Sequence, residues 1–198
     1  MGSTFVFNYN PIFLHTIKKK LGTNFRMITI KNLSKSYGSN QVLKDINLNL
    51  HKGNVYGFVG ENGSGKTTLF RCIADFENYR GNIISDYKIL KNHLGFLQTY
   101  PFFMSRITGW EYLKLLSIAR NIKTENFKEK NIFKLPLNQY TDTYSTGMIK
   151  KLALMGILLQ QNDIYILDEP FNGVDIHSNI LISEIIAKLK SLNKIILI

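Results

Sequence analysis

Residues 55–73 read VYGFVGENGSGKTTLFRCI, and this segment is the most informative part of the sequence. An apolar strand is predicted over Val55 to Val59, followed by a glycine-rich loop and a helix that begins at about Lys66. The glycines let the backbone wrap closely around an anion, and the amides at the start of the helix direct their positive ends toward it. The stretch therefore predicts a phosphate-binding loop (P-loop).

The loop matches the pattern G-x-x-x-x-G-K-[ST] in full. Lys66 adds a charge directed at the β- and γ-phosphates of a nucleotide, and Thr67 offers a hydroxyl ligand to Mg²⁺. A plain glycine turn before a helix is the structural alternative, which the strand, lysine and threonine together disfavour. The predicted nucleotide-binding residues are Gly60, Glu61, Asn62, Gly63, Ser64, Gly65, Lys66, Thr67 and Thr68.

The rest of the chain follows an α/β pattern. Met27–Gly38 and Gln41–Leu50 alternate apolar and polar residues, which predicts an antiparallel pair at the edge of the fold. Further strands are predicted at Gly81–Ser85 and His93–Leu97, as parts of a parallel sheet with flanking helices. These features predict an α/β fold with a P-loop NTPase core and an antiparallel β edge subdomain.

A small helical insert is predicted at about residues 102–147. WEYLKLLSIARNI (110–122) and TENFKEKNIFKL (124–135) both show helical spacing of apolar residues. The downstream segments predict, in order, a helix in 145–161, a buried strand in 163–168, an amphipathic helix in 177–193 and a final strand in 194–198.

Composition excludes several classes of protein. The 198 residues are 44% hydrophobic and 20% charged, which indicates a folded domain. The longest apolar run, Leu152–Leu159, is too short to span a membrane and contains Gly156. Cys72 is the only cysteine, so a disulfide scaffold is excluded, and core packing in a reducing compartment is predicted. The net charge is +11, but the basic residues are scattered along the chain, which disfavours a nucleic-acid partner on this criterion alone.

Residues 1–26 form an extension with four basic residues and no acidic residue. Its apolar part precedes its lysines, which is the reverse of a secretory signal. Two interpretations remain: an amphipathic arm bound to a surface, and a disordered extension upstream of a natural start at Met27. The second is favoured.

A second chemical element lies downstream of the P-loop. Ile164–Leu167 is an apolar strand that ends in Asp168, a position suited to supporting a nucleotide-bound Mg²⁺. Glu169 follows directly and can polarise a water molecule as a general base. A strand closed by an acidic turn is the structural alternative, and the upstream P-loop weakens it.

Several motifs together resemble an ATP-binding cassette (ABC) ATPase over residues 27–198. They are YSTGM at 144–148, the helix after it, ILDEP at 166–170 and GVD at 173–175. The resemblance implies that Tyr37 stacks on adenine and that Gln98 contacts Mg²⁺ and the attacking water. It also assigns the signature to Ser145, Thr146, Gly147 and Met148, and the D-loop to Asp175.

The signature residues also have a physical interpretation that does not depend on the family resemblance. Ser145 is a good N-cap, and a helix that begins there presents free amides to an anion. The resemblance implies that this end closes on ATP held by a second ABC ATPase subunit, in a homodimer or heterodimer. It further implies a separate transmembrane permease partner and a cytoplasmic location, peripheral on the inner face of the membrane.

The signature reads S-x-G-M, which resembles exporter cassettes and favours export over import. The Phe102–Trp110 stretch is a candidate docking surface for the permease, and ordinary subdomain packing explains its aromatic residues equally well. The resemblance thus implies the ATP-binding and ATP-hydrolysing subunit of an ABC transporter. The alternative function is a soluble ABC ATPase that acts on nucleic acid, the ribosome or cofactor assembly.

The family resemblance also implies a switch histidine after a strand such as KIILI, which here ends at Ile198. We expect a truncation before that histidine, and therefore ATP binding with poor hydrolysis. A nucleotide-binding regulator without turnover follows only if the absence is natural.

Overall fold

A computed structural model describes residues 27–123 and 126–198. The predicted extension, residues 1–26, lies outside the described residues. The chain divides into two compact units. The first contains the described residues up to His93 together with Leu189–Ile198, and the second is Leu94–Lys188.

The first unit contains a three-stranded antiparallel sheet. Its strands are β1 (Met27–Tyr37), β2 (Asn40–His51) and β4 (Arg80–Ser85), in the order β2-β1-β4. A tight turn joins β1 to β2, and their alternating pattern buries one face of the sheet. The predicted antiparallel edge is confirmed.

The prediction that Gly81–Ser85 belongs to the parallel sheet is wrong. This segment lies in β4, which pairs with β1 in antiparallel orientation. A strand inside a parallel sheet is covered on both faces, whereas every residue of β4 is at least partly exposed. Gly81 also has a φ of +98°, and a Cβ there would lie 2.4 Å from the carbonyl oxygen of Asn32. Only glycine allows this approach to the irregular part of β1.

The first unit also contains a parallel pair, β3 (Val55–Tyr56) and β7 (Ile195–Leu197). The Phe58 amide donates to the carbonyl of Ile198 at 2.7 Å, which extends the ladder beyond β3. β3 is shorter than the predicted Val55–Val59 strand because the backbone then turns into the glycine-rich loop. Helix α1 (Lys66–Ile73) follows the loop, as predicted.

The second unit is built on the parallel pair β5 (Leu94–Leu97) and β6 (Ile164–Leu167). All four β6 residues are buried, as expected for an apolar run inside an α/β fold. Helix α3 (Thr146–Leu159) precedes β6, and helix α4 (Ile176–Ser191) follows it. Parallel strands, flanking helices and the antiparallel edge confirm the predicted α/β class.

Helix α2 (Gly109–Ala119) supplies the helical insert. Its N-terminus carries a capping box, in which the Thr108 hydroxyl accepts from the Glu111 amide and the Glu111 carboxylate accepts from the Thr108 amide. α2 packs closely against α3, since a Cβ on Gly156 would lie 2.5 Å from Leu116.

The prediction of a second helix in the insert, over residues 124–135, is wrong for the residues of this range that the structure describes. Residues 126–135 form turns. The Asn131 side chain accepts from the Leu135 amide and donates to the Leu135 carbonyl, at 2.9 and 2.8 Å. Asparagine competes in this way for backbone groups that a helix needs. Lys134 also has a φ of 52°, which lies outside the right-handed helical region.

The structure bears on two predictions from composition, which concern membrane-spanning helices and Cys72. None of their helices is both long and apolar enough to cross a membrane. Cys72 is buried and free, as predicted for a cysteine that packs in the core.

Candidate functional site

The P-loop backbone depends on two glycines in the left-handed region. Gly63 has a φ of 84° and Gly65 a φ of 95°. Gly65 is also the N-cap of α1, and a Cβ there would lie 2.9 Å from the Leu43 side chain and 3.2 Å from the carbonyl oxygen of Val42. The sequence thus specifies the loop through conformations and contacts that other residues strain.

Lys66 is held against the backbone of its own loop. Its ammonium donates to the carbonyls of Gly60 at 2.6 Å and Glu61 at 2.9 Å. No side chain caps α1 and its first turn contains no acidic residue, while the buried Ser64 hydroxyl has no hydrogen-bond partner among the described residues. Helix amides without a side-chain cap, a lysine and an unsatisfied hydroxyl form a site that fits an anion such as phosphate.

Tyr37 ends β1, and 46% of the residue is exposed. The Lys35 ammonium lies 4.6 Å from the centre of its ring and 3.0 Å from Glu77, which Arg71 of α1 also contacts at 3.3 Å. The hydrogen bond from Lys35 is the largest cause that lowers the pKa of Glu77. These contacts orient an accessible aromatic ring, and stacking on adenine stays a prediction.

Gln98 and Asp168 follow the aligned ends of β5 and β6, where Leu97 pairs with Leu167. The Asp168 amide donates to the carbonyl of Leu97 at 2.9 Å, and only 2% of the residue is exposed. The Thr99 hydroxyl donates to the Asp168 carboxylate at 2.7 Å. The structure therefore brings these two predicted residues together and adds Thr99, whose sequence signal is its position directly after Gln98.

Glu169 is exposed and has a φ of 50°, a left-handed conformation that is uncommon for this residue type. Its carboxylate accepts a hydrogen bond from the Asn172 side chain at 3.1 Å, and its carbonyl accepts from the Asn172 amide at 3.2 Å. An exposed carboxylate beside a buried aspartate suits contact with water. Its role as general base stays a prediction.

Sequence reasoning also missed Lys150, on α3. Its ammonium donates to the carbonyls of Glu169 at 2.9 Å and Asn172 at 2.8 Å. Burial lowers the pKa of Lys150, while the carboxylates of Glu169 and Asp168 act in the opposite direction. The sequence signal that could have identified Lys150 is its helical spacing from apolar residues of the same helix.

The predicted cap at the signature is confirmed. The Ser145 hydroxyl accepts from the Met148 amide at 3.3 Å, and α3 begins at Thr146. A Cβ on Gly147 would lie 2.7 Å from the carbonyl oxygen of Gly173, so the start of α3 packs against the D-loop backbone. Binding of a second subunit's ATP at this end stays a prediction.

Asp175 caps helix α4. Its carboxylate accepts from the Ser178 amide at 2.8 Å, from the Ser178 hydroxyl at 2.7 Å and from the Lys151 ammonium at 3.0 Å. These hydrogen bonds, with the Ser178 amide first, hold the pKa of Asp175 well below its usual value. Side chains and backbone of α3 and α4 thus hold the Asp175 carboxylate, and its contact with nucleotide stays a prediction.

Replacement of Asp175 by alanine is expected to lower the melting temperature at pH 7 by about 2–4 °C, through loss of the cap. A depressed pKa stabilises the folded state above the unfolded value of 3.8, and this contribution is lost as the pH falls through the folded pKa. The difference in melting temperature should therefore shrink below about pH 4. Thermal scans from pH 3 to 7 check this, with Asp142→Ala as an exposed control; a difference that persists unchanged at pH 3 would contradict it.

The sequence matches the ABC transporter family over residues 43–172. A bacitracin transport ATP-binding protein of Enterococcus faecalis is 33% identical over 166 residues, and the match covers 75% of this chain and 52% of the relative. A zinc import ATP-binding protein of a Wolbachia species is 29% identical over 183 residues, and the match covers 89% of this chain and 73% of the relative.

A solved structure of an ABC transporter ATP-binding protein from Pyrococcus furiosus is similar, with 28% identity and a TM-score of 0.72 over 86% of this chain and 90% of that one. The chain spans about half the length of the bacitracin transport relative. The extent of the family match, together with the P-loop and the strand ends that carry Gln98 and Asp168, leads to one conclusion: the chain belongs to the ABC transporter family, as an ATP-binding domain.

Proposed function

We propose that this chain is the ATP-hydrolysing subunit of an ABC exporter and powers a separate membrane-spanning partner. The observation that carries the proposal is the aligned pair β5 and β6, whose ends bear Gln98 and Asp168, with Glu169 directly after. Ligands of α/β proteins bind beyond the carboxyl ends of parallel strands, where these side chains lie.

ATP is the proposed substrate. The P-loop holds its phosphates through the amides at the start of α1 and through Lys66, whose ammonium turns from the loop carbonyls to the phosphate oxygens. Tyr37 stacks on the adenine ring with its exposed part. Both assignments rest on residues of the first unit.

Mg²⁺ is the proposed metal. Thr67, Gln98 and Asp168 would hold it, and their hydroxyl, amide and carboxylate oxygens are the donors that Mg²⁺ prefers. Bound to ATP, the ion neutralises charge on the phosphates during transfer. Thr99 positions the Asp168 carboxylate through its 2.7 Å hydrogen bond.

Hydrolysis requires a water molecule to attack the γ-phosphorus. The Glu169 carboxylate accepts a proton from that water, the water oxygen forms the new bond to phosphorus, and the bond to the ADP oxygen breaks. The hydrogen bond from Asn172 fixes the orientation of this carboxylate.

A second ABC ATPase subunit, identical or related, completes the proposed cycle. The signature end of α3 has no acidic residue in its first turn, so its dipole favours a phosphate. Ser145, Thr146, Gly147 and Met148 would close on ATP held by the second subunit, with Asp175 beside them.

Export as the direction is supported by the S-x-G-M signature and by similarity to a bacitracin transport protein. A zinc import protein is also similar to this chain. Export is therefore stated as a proposal and not as a finding. Both relatives are named as transport proteins, which does not favour the alternative function, a soluble ABC ATPase that acts on nucleic acid, the ribosome or cofactor assembly.

The permease partner is proposed to dock on an exposed aromatic surface, defined by Phe102 of the predicted stretch and the nearby Tyr100, which are 87% and 79% exposed. The neighbouring Phe103 instead packs on Tyr112, with ring centres 4.4 Å apart. The stretch thus contains both exposed and packed aromatic residues. A partner on this surface would hold the chain at the inner face of the membrane.

A photocrosslinking residue at position 102 tests this proposal in cells. We expect it to capture a polytopic membrane protein, identified by mass spectrometry, and the same probe at the exposed Leu192 to capture far less. Capture of ribosomal proteins or RNA at position 102 would instead support the alternative function. Equal capture of the membrane protein from both positions would contradict docking at the aromatic surface.

A further inference from the structure

We infer that Lys150 is a positioning residue for hydrolysis, because its ammonium fixes the backbone that carries Glu169. The inference rests on the proposed function, in which Glu169 is the general base. Lys150 is not expected to touch ATP or the attacking water.

The burial of Lys150 is the first observation. Only 3% of the residue is exposed, and Lys150 and Asp168 are the charged residues among the buried ones that the structure describes. It lies on the face of α3 that also buries Ala153 and Leu154. A buried ammonium is costly unless hydrogen bonds compensate it, so apolar packing alone does not explain a lysine here.

The partners of Lys150 supply the compensation. Its two bonds end on the carbonyls of Glu169 and Asn172, the first and last residues of one short turn. The turn is closed by the Asn172 amide, which donates to the Glu169 carbonyl. One ammonium on a rigid helix therefore holds both ends of the turn.

The same turn sets the direction of the Glu169 carboxylate. Glu169 adopts a left-handed φ of 50°, which is disfavoured for a residue with a side chain. Such a conformation persists when surrounding contacts enforce it, and Lys150 supplies one directly at the Glu169 carbonyl. The Asn172 side chain, on the other end of the turn, donates to the carboxylate at 3.1 Å. Loss of Lys150 should misorient the carboxylate rather than weaken ATP binding.

Steady-state kinetics of Lys150→Met test the inference in the 198-residue chain. We expect kcat to fall about tenfold to 100-fold, since a small misplacement of a catalytic group has effects of this size. The KM for ATP should stay within about twofold, because the P-loop is untouched. Lys150→Arg keeps the charge and the donors and should recover most of kcat, and Lys190→Met, which removes an exposed lysine of α4, is the matched control.

A double-mutant cycle with Glu169→Gln separates positioning from a general loss of structure. If Lys150 acts through Glu169, Lys150→Met should change the residual turnover of the Glu169→Gln chain by less than about twofold. An equal loss in both backgrounds, an unchanged kcat, or a raised KM with normal kcat would overturn the inference.

Lys150→Gln takes the place of the methionine variant if that variant does not fold, because the glutamine side-chain amide can still donate to one of the two carbonyls. A lowered kcat with normal KM again supports positioning, and a normal kcat overturns it. Failure of the proposed function has a different signature: the unaltered chain and Glu169→Gln would then show the same turnover. That result would remove the basis of the inference as well.

Discussion

Replacement of Glu169 by glutamine is expected to reduce ATP turnover by about 100-fold or more, because the amide cannot accept a proton from the attacking water. ATP affinity should change by less than about twofold, since the variant leaves the P-loop intact. Phosphate release under saturating ATP measures the first quantity, and binding of a fluorescent ATP analogue measures the second.

Glu184→Gln is the matched control for this prediction, since it removes an exposed carboxylate from α4. Its turnover should equal that of the unaltered chain. Turnover that survives in Glu169→Gln at the unaltered rate would mean that another group activates the water.

Replacement of Lys66 by alanine is expected to weaken ATP binding by about tenfold to 100-fold, the effect of losing a charged hydrogen-bond donor to phosphate. The loop itself should persist, because its conformation depends on Gly63 and Gly65. The loss of two bonds to the carbonyls of Gly60 and Glu61 should have a small effect on melting temperature.

Titration calorimetry with ATP and Mg²⁺ checks the prediction for Lys66. Lys44→Ala removes an exposed lysine of β2 and is the matched control for net charge. An ATP affinity of Lys66→Ala equal to that of the unaltered chain would exclude Lys66 from phosphate binding. Loss of affinity in both variants would indicate a general electrostatic effect instead of a specific contact.

The sequence predicts the P-loop well because its conformation is encoded locally. Glycines with positive φ, a lysine and a helix start lie within ten residues of one another. The strand before Asp168 is equally readable, since a continuous apolar run bounded by polar residues is typical of a buried parallel strand. Local patterns thus located Gly65, Lys66 and Asp168 without tertiary information.

Other features depend on contacts that sequence patterns do not show. β4 was assigned to the wrong sheet because strand pairing depends on distant residues, here on β1. The side-chain bonds of Asn131 replaced a predicted helix with turns. Thr99 and Lys150 were missed because each acts on a residue far along the chain, and Lys150 does so through backbone carbonyls.

Helix α3 connects the signature to the segment that carries Glu169. It begins at the signature, and its Lys150 and Lys151 contact the segment from Glu169 to Asp175. One rigid helix therefore joins the proposed clamp for a second subunit's ATP to the proposed base of its own subunit.

ATP is proposed to join two such subunits before it is hydrolysed. Light scattering of the Glu169→Gln chain with ATP and Mg²⁺ measures this association, since the variant is expected to bind ATP without consuming it. We expect a doubling of molar mass with ATP and none with ADP. A chain that binds ATP and stays monomeric at every concentration would contradict it.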